Sequence, residues 1–84
     1  MKTERTQIKR FALRALLRMD GIPMPQDALI DSIRLALPAA TQSDIEVALK
    51  ELEADHLAAA NYDELTGTTW TLTDKGQHKA KQLG

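Results

Sequence analysis

At 84 residues, with 43% hydrophobic and 27% charged side chains, the chain can bury one small core, and it is too apolar for the disordered class. Zero cysteines exclude disulfides, Cys-based zinc sites and thiol nucleophiles, and they fit a cytoplasmic protein. No apolar run approaches the ~20 residues of a membrane span, and the net charge of −1 is split into basic ends and an acidic middle.

The charge blocks are sharp. Residues 1–18 carry Lys2, Arg5, Lys9, Arg10, Arg14 and Arg18 against Glu4. Residues 19–64 carry ten acids against Arg34 and Lys50, and residues 65–84 carry Lys75, Lys79 and Lys81 against Asp74. Net charge therefore selects no partner; a local face must. The basic N-terminus is not a signal peptide, because Arg14 and Arg18 interrupt the apolar stretch one would need.

Ile8, Phe11, Ala12, Ala15 and Met19, flanked by Leu16, recur at helical spacing and predict a first helix over 3–19. Leu13 and Leu17 fall on a second apolar side, to be covered by the terminal helix or, failing that, by a homodimer. Gln7, Arg10, Arg14 and Arg18 fill the open sector. Asp20-Gly21 and Ile22-Pro23 stop the helix.

Met24-Pro25 opens a second helix over 25–37, with Pro25 in the first turn and Leu29, Ile30, Ile33, Ala36 and Leu37 as its buried stripe. Pro38 ends it. A third helix covers 42–55: Ser43-x-x-Glu46 fits a capping box, Thr41 is a competing cap, and Ile45, Ala48, Leu49 and Leu52 face inward. Over 57–73, Trp70 and Leu72 alternate with Thr69, Thr71 and Thr73 around a turn closed by Gly67, which predicts a β-hairpin. Thr73-Asp74 caps a short helix over 74–83, weakened by Gly76 in its first turn.

This order resembles a winged helix-turn-helix domain, mainly α with a small β-hairpin wing. Ile45 to Leu57, I-E-V-A-L-K-E-L-E-A-D-H-L, resembles the third helix and its exit in bacterial winged-helix regulators, commonly L-x-x-L-e-x-x-G-L; His56 stands where those usually have Gly. Trp70 to Gly76, W-T-L-T-D-K-G, is similar to the x-L-T-x-x-G at the end of the wing in MarR- and PadR-like groups. The resemblance spans roughly residues 5–83. It implies a single domain with Phe11, Leu16, Ile33, Leu49 and Leu52 buried and Trp70 and Leu72 packed onto the first or third helix.

Enzyme chemistry lacks its parts. His56 and His78 lie in different elements without a Cys or His-x-x-x-His partner, and Gly21, Gly67, Gly76 and Gly84 form no phosphate loop. No catalytic, cofactor or metal site is read.

The resemblance makes the third helix the DNA reader, and its outward face is Ser43, Val47, Lys50 and Ala54. Gln42 suits adenine, Lys50 guanine or phosphate, and Glu46 a cytosine amine. Glu46 and Glu53 on one flank, with Asp44, Glu51 and Asp55 on the other, repel phosphate. Arg10, Arg14 and Arg18 offer a second nucleic-acid face, or pair with Asp27 or Asp31 or with a second copy's acidic third helix, or meet a specific protein partner; Lys75 and Lys79 add C-terminal cations. The wing tip, Asp63 to Gly67, has no Lys or Arg. Two functions follow. One is a DNA-binding transcriptional regulator. The other is a winged-helix interaction module, with a basic protein partner on the acidic third helix or a solvated surface where Glu46 pairs with Lys50.

Overall fold

The computed structural model describes residues 5–83. Four helices and three strands follow one another as α1 (Arg5–Arg18), β1 (Met24–Pro25), α2 (Gln26–Ala36), α3 (Gln42–Ala54), β2 (Ala58–Asp63), β3 (Gly67–Leu72) and α4 (Asp74–Leu83). The predicted first two positions of the first helix, residues 3 and 4, lie outside the described residues.

Helix α1 is the centre of the molecule and packs against α2, α3, α4 and β3. Its two apolar sides explain that position. Ile8, Ala12 and Leu16 on one side and Leu13 on the other are all buried. Leu17 and Leu83 are half-buried against the same core, so α4 covers the second side within the chain. Phe11, expected in the core, is only half-buried and borders a cleft between α1 and α2.

The second helix starts later than its sequence predicts. Met24-Pro25 is extended and pairs antiparallel with β3, Met24 opposite Trp70 and Pro25 opposite Thr69. The sheet therefore has three strands in the order β1-β3-β2 rather than two. Proline suits this edge strand, since it lacks an N–H but needs none there. At the other end Ala36 is exposed, and Leu37 is the C-cap, half-buried. Helix α2 is short enough that only Leu29, Ile30 and Ile33 reach the core.

Helix α3 is capped by Thr41, not by Ser43. Thr41 Oγ1 accepts from the Asp44 backbone N–H at 3.1 Å, and Asp44 Oδ2 accepts from the Thr41 N–H at 3.3 Å. The reciprocal pair satisfies two donors at the helix start. Ile45, Ala48, Leu49 and Leu52 are buried, as their spacing predicts.

The exit of α3 is a left-handed C-cap. His56 has φ 60°, its N–H donates to Glu53 O, and the Leu57 N–H reaches back to Leu52 O at 2.9 Å. This double bond pattern is the Schellman arrangement, in which glycine is usual because it has no Cβ to clash. Position 56 is thus where the resembling regulators have Gly, and the backbone here makes the same turn with a histidine.

The hairpin runs in register from Ala58 opposite Leu72 to Asp63 opposite Gly67. Asp63 Oδ1 accepts from the backbone N–H of Leu65 at 2.7 Å and of Thr66 at 3.2 Å, which closes the turn. Trp70 is 3% exposed, and its indole N–H donates to Gln26 Oε1 at 3.0 Å. The strand carrying it lies on α1 and α2. Leu72 is half-buried against the core.

Candidate nucleic-acid interface

The outward face of α3 is built by default. Once Ile45, Ala48, Leu49 and Leu52 are spent on the core, the helical repeat turns Gln42, Ser43, Val47, Lys50, Glu53 and Ala54 to solvent. Val47 is 42% exposed. A row of this kind, about 10–12 Å wide with its side chains, is the shape that enters a major groove.

Structure changes the electrostatics that the sequence suggests. Glu51 receives Arg5 Nη1 and Lys9 Nζ from α1, each at 2.7 Å. The hydrogen bond from Lys9, helped by the charges of Arg5 and Lys9, holds the Glu51 carboxyl below the usual carboxylate range despite partial desolvation. Asp44 is turned back onto the Thr41 N–H. Glu51 and Asp44 are thus engaged with partners off the outward face, while Glu53 and the C-cap Asp55 stay exposed. The engagement of Glu51 was not legible beforehand, because α1 and α3 meet only in the tertiary fold, whereas that of Asp44 is local to the Thr41 cap.

Glu46 does not pair with Lys50 among the described residues. Its Oε1 accepts from Gln42 Nε2 at 3.0 Å, one helical turn earlier. This pair sets the orientation of the two side chains expected to read bases. Lys50 is exposed and forms no ion pair among the described residues.

The basic candidates fall in two separate places. Lys75 Nζ donates to Asp55 O at 3.2 Å, so it sits at the C-terminal end of α3, where carbonyls concentrate negative partial charge. Lys79 follows one turn later on α4 and is exposed. Arg14 and Arg18 instead line the α1–α2 cleft, and Arg10 lies in an adjoining recess of α1 with Gln7 and Phe11. Arg14 Nη2 donates to Leu83 O at 3.3 Å, near the end of α4. No arginine of this row pairs with Asp27 or Asp31 among the described residues.

The wing and α4 are tied to α3 at its exit. The Thr73 hydroxyl donates to His56 O, the Thr73 N–H donates to Leu57 O at 3.2 Å, and Thr73 Oγ1 accepts from the Gly76 N–H at 3.0 Å. One threonine thus caps α4 and staples it to the end of α3. Among the described residues no group of three or more His, Asp or Glu is placed to hold a metal ion, and no helix is long and apolar enough to cross a membrane.

No protein-family model matches the chain, and no curated protein matches it. Two solved structures do. The first is a transcriptional regulator of the MarR family from Silicibacter pomeroyi, with TM-score 0.68 and 27% identity, over 92% of this chain and 48% of that one. The second is the circadian clock associated protein Pex from Anabaena, with TM-score 0.77 and 17% identity, over 99% of this chain and 76% of that one. The chain thus spans about half the length of the MarR-family regulator it matches. With three helices, a paired wing whose sheet takes in β1, and a closing helix in this order, the chain has the winged helix-turn-helix fold.

Proposed function

We propose that this protein is a small DNA-binding regulator of transcription that works in the cytoplasm and enters the major groove with α3. The observation that carries the reading is the outward face Gln42, Ser43, Val47 and Lys50, with the flanking Glu51 neutralised by Arg5 and Lys9. The 27% identity to a transcriptional regulator of the MarR family supports it.

In this reading Gln42 donates to and accepts from an adenine edge, Lys50 donates to guanine or phosphate, and Glu46 accepts from a cytosine amine. Val47 meets a thymine methyl. Lys75 and Lys79 take backbone phosphates at the C-terminal end of the helix.

The test is selection from a random-sequence duplex pool, followed by titration at two salt concentrations. Affinity should fall with salt at a slope of roughly −0.9 per phosphate neutralised. Lys79→Ala should flatten that slope by about one unit, whereas Lys50→Ala should change which sequences are selected.

A second reading has its own observation. The wing turn carries Asp63 and Glu64 without a cation, and α3 keeps Glu46, Glu53 and Asp55. These carboxylates, spread along α3, its C-cap and the wing turn, suit a basic protein partner. Undetectable duplex binding at low salt transfers the reading to it.

A further inference from the structure

The cleft between α1 and α2 combines positive charge with an apolar floor. Arg14 and Arg18 line it, and Arg10 lies in the adjoining recess of α1 with Gln7, Phe11 and Arg14. Half-buried Phe11 and Ala15 with buried Ile33 form the apolar base, with exposed Ala36 at the edge. Ser32 lines the cleft and Gln7 the adjoining recess, and among the described residues no carboxylate lines either. Arg10 and Arg18 have no hydrogen-bond or ion-pair partner among the described residues. A phosphate backbone would satisfy the charge and leave the apolar floor wet.

The wing turn has the opposite chemistry. Leu65 is 95% exposed at its tip and Tyr62 is 77% exposed at its base. Asp63 and Glu64 bring two negative charges and no cation lies between residues 58 and 67. Asp63 holds the turn rigid by accepting from Leu65 and Thr66, while Glu64 has no partner among the described residues. The tip is a preorganised aliphatic group beside a free carboxylate.

We propose that two copies of this chain associate head to tail, the wing turn of one seating Leu65 on the Phe11 floor of the next. Glu64 then lies among Arg10, Arg14 and Arg18, where a guanidinium fork matches a carboxylate. The contact is heterologous: each copy keeps one free wing and one free cleft, so growth does not stop at two. A seated turn buries far less than the roughly 800 Å² per partner of stable complexes, so association is weak and concentration-dependent. This inference stands apart from the DNA reading, which uses other residues.

The experiment is sedimentation velocity on the full chain from micromolar to millimolar concentration, at low and high salt. The average mass should climb without a plateau at the dimer and should fall when salt is added. Leu65→Asp disables the wing, and Arg10→Glu with Arg18→Glu disables the cleft; all three positions are exposed, so the fold should survive. Each variant alone should remain monomeric. Mixed in equal amounts they should form a one-to-one pair and grow no further, since one intact wing meets one intact cleft. A native chain that stays monomeric at millimolar concentration overturns the proposal. So does a dimer that both variants form as well as the native chain, or a mixture that does not pair.

Discussion

Gly76, in the first turn of α4, lies directly against the carbonyl of Leu57. A Cβ built at position 76 would stand 1.8 Å from Leu57 O and 2.8 Å from its carbonyl carbon. The sequence suggested only that this glycine weakens a helix. Its position shows why it is there: the Thr73 staple draws α4 so close to the exit of α3 that no side chain fits between them.

Gly76→Ala should therefore destabilise the chain, although alanine is the better helix former. Backbone cannot rotate away as a side chain can, so the cost should be about 3 kcal/mol, the upper range for overpacking. Urea denaturation followed by circular dichroism measures it. An alanine variant as stable as the native chain would show that the two segments separate freely.

His56 offers the opposite experiment. Its φ of 60° is costly for a residue with a Cβ and free for glycine. His56→Gly should raise stability by about 1 kcal/mol, with the Schellman bonds unchanged. Because His56 is exposed, no packing is lost in the exchange. A decrease in thermal midpoint would mean that the imidazole makes a stabilising contact.

The buried indole of Trp70 depends on Gln26 for its hydrogen bond. Gln26→Leu should leave that N–H unsatisfied and cost about 1–2 kcal/mol, whereas Gln26→Glu keeps an acceptor and should cost less. Tryptophan emission reports directly on the site. Equal losses in the two variants would argue that packing, not the hydrogen bond, is what Gln26 supplies.

Glu51 gives the chain a pH dependence with a definite sign. Its carboxyl titrates below the usual range because Lys9 and Arg5 stabilise the charged form. That contribution is present above the unfolded carboxylate pKa and is lost as pH falls through the folded value. Glu51→Gln should lower the thermal midpoint at neutral pH, and the gap should close on acidification. Added salt should also narrow it, since the pair is partly exposed. A gap independent of pH would detach the effect from the ion pair.

Much of this molecule was legible in its residues. Periodicity located α1, α3 and the hairpin, because an element that buries a face against a core must repeat apolar residues at its own period. The stripe Ile45, Ala48, Leu49 and Leu52 determined, by subtraction, which face of α3 meets solvent. The threonine before Asp74 declared the cap of α4, and the I-E-V-A-L-K-E-L and L-T-D-K-G segments pointed to a winged helix.

What the tertiary structure alone decided are the relations between elements distant in sequence. Met24-Pro25 reads locally as a helix start, and only the presence of β3 beside it makes two residues a strand. Glu51 looks like one more repulsive carboxylate until α1 delivers Arg5 and Lys9 across 46 and 42 positions of chain. Leu13 looks unpartnered until α4 returns to cover it. Local propensity and spacing act within a few residues, whereas pairing, neutralisation and close approach depend on which surfaces the fold presses together.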